Sequence, residues 1–165
     1  MSSYAPLLAK EGHTNWNPDL IYFNNTAVKP TANYYVQRAF GHNAGNEYVA
    51  SSLSVDYSAA GKDKPLLADI ANRIDKSVVI DGTTGDVIVK LVSMLPKEAA
   101  VTVNIGDELI SHNASGKAQM SLLVAPQQPD RKREWAVNET RQIDISKEFT
   151  VTLPAYSFVI VRIGR

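Results

Sequence analysis

The run Phe149-Thr-Val-Thr-Leu-Pro-Ala-Tyr-Ser-Phe-Val-Ile-Val-Arg-Ile163 limits what this chain can become more than any other stretch. Phe149, Val151 and Leu153 alternate with Thr150 and Thr152, the period of two that gives a strand one buried and one wet face. Pro154 has no N–H to give a ladder, so it ends that strand or places it at an edge. Ser157–Ile163 is apolar on both faces until Arg162, which calls for cover on both sides of a sheet. The rest of the chain is expected to pair with this strand or to face it.

Residues 45–165 supply the partners. Strands are predicted at Tyr48–Val55, Leu66–Asp75, Ser77–Asp81, Asp86–Ser93, Ala99–Ile105, Ala118–Ala125, Gln142–Ile145, Phe149–Leu153 and Ser157–Ile163. Asp81-Gly82, Thr84-Gly85, Gly106-Asp107 and Gly116-Lys117 are turn dipeptides between them. Leu66–Arg73 also fits helical spacing, through Leu67, Ile70 and Ile74. Pro126–Thr140 reads as a polar loop anchored by Trp135. Short strands separated by turns indicate a mainly β fold, an antiparallel β-sandwich of jelly-roll-like character.

Residues 1–44 are different. Tyr4–Ala9 reads as a strand, Lys10–Asp19 as a polar loop, Leu20–Phe23 as a short apolar element and Asn24–Thr26 as a turn. Thr31 is the expected N-cap of a helix running to Phe40, with Tyr35/Ala39 and Val36/Phe40 at i, i+4 spacing and Gly41 as its stop. This is the shape of one β/α unit, and no second parallel strand is evident beside it. The expected division is therefore a β/α segment at 1–44 and a sandwich at 45–165.

The 17 basic and 17 acidic residues cancel, which argues against nucleic acid or an anionic membrane surface as partner. Arg131-Lys132-Arg133 is too short to alter this. With no cysteine, disulfides, thiolate metal sites and cysteine nucleophiles are excluded. No apolar run reaches the length of about 18 residues that a membrane helix needs, and the first residues do not read as a signal peptide.

Catalytic motifs are wanting. His13, His42 and His112 are not at metal-ligand spacing, so no metal or cofactor is expected. There is no Gly-x-Ser-x-Gly elbow and no Gly-rich phosphate loop. Glycoside hydrolysis needs two carboxyls about 5–10 Å apart. Asp81 and Asp86 flank a turn, Asp107 and Glu108 follow Gly106, and Asp144 and Glu148 bracket a short loop, all settings for solvated carboxylates. The most suggestive polar cluster is Gly12–Asp19. Its Trp16, between Asn15 and Asn17, combines a flat apolar ring with amides, the chemistry of sugar binding; the alternative is Trp16 as a packing anchor for its loop.

Ser3-Tyr-Ala-Pro-Leu-Leu-Ala9, Trp16-Asn-Pro-Asp-Leu-Ile-Tyr-Phe23 and Asn33-Tyr-Tyr-Val-Gln37 ahead of Phe40 resemble the region that ends the catalytic barrel of family 51 α-L-arabinofuranosidases. Leu153–Arg162 and Gly85–Val92 resemble strands of the same enzymes' C-terminal domain. The resemblance implies a remnant of the last β/α unit of a (β/α)8 barrel, followed by a sandwich that braces that barrel. It implies no catalytic residue here: Asn46-Glu47 and Asn138-Glu139 read as turn-like, outside the barrel match. It also implies that Asn15, Trp16 and Asn17 lie near the arabinose subsite of the whole enzyme, since loops after barrel strands line the active face. The implied partner is the barrel of a parent that removes arabinofuranosyl groups from hemicellulose and is secreted or periplasmic, a cytoplasmic location being left open. A stand-alone carbohydrate-binding sandwich is the other reading; it needs a row of exposed aromatics, and Tyr48, Tyr57, Trp135, Phe149, Tyr156 and Phe158 are mostly at core-like positions. Without the barrel, residues 3–25 are expected to fold back on the sandwich, to pair with a second copy as a homo-oligomer, or to be poorly ordered.

Overall fold

The strand at Ser157–Ile163, apolar on both faces, is the one the others surround. The computed structural model describes residues 4–54, 72–111, 113, 115–124 and 137–164. In chain order the elements are β1 (Leu8–Lys10), β2 (Ile21–Phe23), β3 (Val28–Pro30), α1 (Ala32–His42), β4 (Glu47–Tyr48), β5 (Ile74–Ile80), β6 (Val87–Ser93), β7 (Ala99–Asn104), a short helix α2 (Asp107–Ile110), β8 (Lys117–Val124), β9 (Val137–Asp144), β10 (Glu148–Leu153) and β11 (Ser157–Ile163).

β11 lies between β6 and β8 in a six-stranded sheet of order β4-β5-β6-β11-β8-β9, antiparallel at every step. Both faces of β11 are covered, as its lack of alternation requires. On the inner face Val87, Val89 and Leu91 of β6, Val159, Val161 and Ile163 of β11 and Met120 of β8 meet Val101 of β7 and Val151 and Leu153 of β10. β7 and β10 form the facing antiparallel pair, with Val101 opposite Val151. Each such side chain taken fully out of water stabilises the fold by about 1.5–3 kcal/mol.

The outer face is covered by α1. Ile88, Phe158, Ile160 and Leu123 form a second cluster, against which Tyr35, Val36 and Ala39 pack. Phe40 stacks on Phe158. Thr31 caps the helix, its hydroxyl accepting from the Tyr34 N–H and donating to the Leu20 carbonyl. The helix continues through Gly41 to His42, where Asn43 closes it by donating from its backbone to Phe40. Gly41 keeps an ordinary negative φ and so does not act as the stop.

Lys90, opposite Ile160, sits in this apolar face at 4% exposure, its Nζ 5.8 Å from the Phe40 ring centre. It has no hydrogen bond or ion pair among the described residues, and burial pulls its pKa below the ordinary lysine value. Arg162 ends the face differently. Its Nε donates to Asp86 and its Nη2 to Asp81, each at 2.6 Å, tying β11 to the β5–β6 turn.

The first thirty residues correct one expectation. β1 does have a parallel neighbour, β2, with Leu8 opposite Ile21 and Lys10 opposite Phe23. β3 returns antiparallel to β2, giving a three-stranded sheet, β1-β2-β3, separate from the sandwich sheets. Leu20–Phe23 was too short and too weakly periodic to announce a parallel strand. Glu11 holds this sheet across its loops: it accepts from Asn24 and from the Lys29 ammonium, bonds that hold its carboxyl below the usual range.

In the sandwich, the boundary expected near residue 76 is absent: β5 runs unbroken from Ile74, and the predicted residues 55 and 66–71 lie outside the described set. β4 has two residues in its ladder rather than eight. β9 begins at Val137, inside the expected polar loop. Among the described residues it is an edge strand paired to β8 alone, so its side chains need no apolar alternation, and only its end, within the predicted Gln142–Ile145, gave a strand signal.

Candidate functional site

The loop between β1 and β2 carries the three candidate contact residues, and its geometry follows from its own polar side chains. Gly12 turns the chain out of β1 at φ +76°, a conformation that favours glycine. Thr14 then acts as a hub. Its Oγ1 accepts the Trp16 N–H at 3.1 Å. Its single proton faces two acceptors, the Trp16 carbonyl at 3.0 Å and Asp19 Oδ2 at 3.2 Å. Beyond Trp16, the Asp19 N–H donates to Tyr22 Oη at 2.8 Å, and Tyr22 donates in turn to Asn17 Oδ1 at 2.7 Å. Tyr4 donates to the Pro18 carbonyl. The loop is thus tied on both sides of Trp16.

Trp16 itself is 62% exposed, while Asp19 is fully buried and its Oδ1 has no partner among the described residues. Asn15 and Asn17 are exposed. The loop brings the three predicted residues together, and it offers an indole face, the whole Asn15 amide and the Asn17 amide N–H groups. Sequence reasoning had Thr14 and Asp19 inside the Gly12–Asp19 cluster but not the ties they make, and it missed Tyr22, which stood in an apolar run that read as packing.

No other described cluster competes as a catalytic centre. Asp81 and Asp86 are close enough to share Arg162, whose guanidinium is bonded to both carboxyl groups. The Asp81 carboxyl is held below its usual range by that bond first and by the Thr83 backbone second, the reverse of what a general acid needs. Glu47 and Glu139 lie on strands rather than turns, exposed on the two opposite edge strands β4 and β9. Five strand spacings separate those edges, about 24 Å, well beyond a glycosidase pair. Among the described residues no group of His, Cys, Asp or Glu is arranged to hold a metal. No helix among them is long and apolar enough to cross a membrane.

Known proteins resemble the chain throughout. An extracellular exo-α-L-arabinofuranosidase of Streptomyces chartreusis is 34% identical over 118 residues, 72% of this chain and 12% of that protein. A probable α-L-arabinofuranosidase A of Aspergillus oryzae is 30% identical over 168 aligned positions, 95% of this chain and 22% of that protein. This chain therefore spans less than a quarter of the curated relatives it matches. Among solved structures, an arabinose-bound family 51 α-L-arabinofuranosidase superposes with a TM-score of 0.77 at 22% identity, over 98% of this chain and 24% of that one. An arabinose complex of the Thermotoga maritima α-L-arabinofuranosidase gives 0.61 at 13% identity, over 89% and 32%. At these identities both structures bear on the fold alone. The α-L-arabinofuranosidase C-terminal domain family matches residues 1–157, so an antiparallel sandwich preceded by a small parallel unit carries a matching sequence along nearly its whole length, and the chain belongs to that family.

Proposed function

We propose that this chain is the non-catalytic C-terminal part of a glycoside hydrolase that removes terminal arabinofuranosyl groups from hemicellulose, and that it braces the catalytic barrel. Residues 1–44 end the barrel in this reading, and residues 45–165 form the sandwich. One observation carries the proposal: α1 is seated on the outer face of the six-stranded sheet through Tyr35, Val36, Ala39 and Phe40, while β1, three elements earlier, has one ladder edge without a strand beside it among the described residues. The segment is thus fastened to the sandwich at one end and offers an unfilled parallel edge at the other, where Leu7 and Leu8 are exposed. An edge of that kind suits continuation of a parallel sheet. The loop after β1 would then stand at the active face, with Asn15, Trp16 and Asn17 as sugar contacts.

The test is an assay on an aryl α-L-arabinofuranoside. The chain alone is expected to give no turnover, and a longer polypeptide carrying the barrel is expected to turn the substrate over. Turnover by the chain alone overturns the proposal. Little supports a stand-alone carbohydrate-binding module. Phe158 is buried, Phe149 is half-buried, Tyr48 is on edge strand β4 and Tyr156 is in the turn before β11, so these four make no row on one sheet; Tyr57 and Trp135 lie outside the described residues.

A further inference from the structure

We infer that Thr14, Asp19 and Tyr22 are positioning residues that hold Trp16 as a preformed platform for a sugar ring. The inference rests on reading Asn15, Trp16 and Asn17 as sugar contacts, and adds how their geometry is set.

An exposed ring alone says little, and the chain exposes other large apolar side chains; what sets Trp16 apart is the backbone beneath it. Here the ring is exposed while its backbone is tied at both flanks: N–H to Thr14, carbonyl to Thr14, and the next residue, Asn17, to Tyr22. The tie runs inward to a fully buried carboxylate, Asp19, whose backbone N–H completes the circuit through Tyr22. Asn17 spends its oxygen on Tyr22, which leaves its N–H groups as donors. The Asn15 amide and the Trp16 indole N–H have no hydrogen bond among the described residues. Hydrogen bonds on both flanks hold the backbone that carries the ring before any ligand arrives, and a contact positioned in advance loses less entropy on binding. A flat apolar face beside free amide donors matches a sugar, whose C–H face and hydroxyl edge need those two chemistries.

The experiment uses the 165-residue chain labelled with 5-fluorotryptophan, which gives two 19F resonances, from Trp16 and Trp135, the former assigned through Trp16→Phe. Tyr22→Phe and Thr14→Val each remove one hydroxyl, and thermal melts confirm that each variant folds. In both, the transverse relaxation rate of the Trp16 resonance is expected to fall by roughly a third as the ring gains motion. Its shift on titration with L-arabinose should then need about fivefold more sugar than in the parent chain. Thr14→Ser restores both. Unchanged relaxation in both hydroxyl-deletion variants overturns the inference and leaves the sugar reading standing. Loosened relaxation with no L-arabinose response, either in the parent chain or in a longer polypeptide carrying the barrel, overturns the sugar reading, and this inference with it.

Discussion

The Phe40 ring lies 4.8 Å from that of Phe158 and within 13° of parallel to it, so one stack joins α1 to the central strand of the large sheet. The two rings are unequal. Phe158 is 5% exposed and Phe40 43%. Phe158→Ala should cost about 3–5 kcal/mol and Phe40→Ala about 1 kcal/mol. A double-mutant cycle by urea unfolding should return a coupling of about 0.5–1.5 kcal/mol; additive values would mean the stack contributes nothing beyond burial.

Lys90→Met should stabilise the chain at neutral pH, by on the order of 1 kcal/mol, because an apolar side chain replaces a buried cation that has only the Phe40 ring, and no hydrogen bond or ion pair among the described residues, to offset its desolvation. The sign of its pH dependence follows from the burial that lowers the Lys90 pKa from 10.5. The unfolded chain binds the proton more tightly, so the penalty is full below the folded pKa and disappears as pH rises to the unfolded value. The stability difference between variant and parent should therefore narrow through the alkaline range. A gap that widens with pH would contradict it.

Arg162→Met tests the clamp on the β5–β6 turn. The Arg162 bond that lowers the Asp81 pKa stabilises the fold above the unfolded value of 3.8, and that contribution is lost as pH falls through the folded pKa. The variant should melt earlier at pH 7, and the gap should close in strong acid. An unchanged gap at pH 2 would assign the loss to packing instead.

Gly45→Ala should destabilise the sheet edge at β4. Gly45 has φ +64°, and an added Cβ would lie 2.5 Å from Val79 Cγ2. Strain and clash together predict a loss of about 2 kcal/mol. Gly41→Ala, where a Cβ meets nothing within 4 Å, should gain about 0.5–1 kcal/mol. Thermal melts that rank the two variants the other way would refute this.

The sandwich was legible because its central strands must be apolar. β6 and β11 are buried nearly throughout, and no other element could absorb Val87–Leu91 or Phe158–Val161. Edge strands were harder. β9 is held by backbone pairing with β8, and that ladder imposes no side-chain pattern. The β1–β2 pair escaped notice because each strand is three residues long. The loop itself was singled out by Trp16 between two amides. What fixes it was not, because the burial of Asp19 comes from the surrounding fold and leaves no mark in local sequence.

A ribosome makes β11 after both strands it separates. Until Ser157–Ile163 leaves the exit tunnel, β6 and β8 have no common neighbour, and each holds an oily flank with nothing to zip against. The two halves of the sheet cannot be joined in their native order before that strand is made.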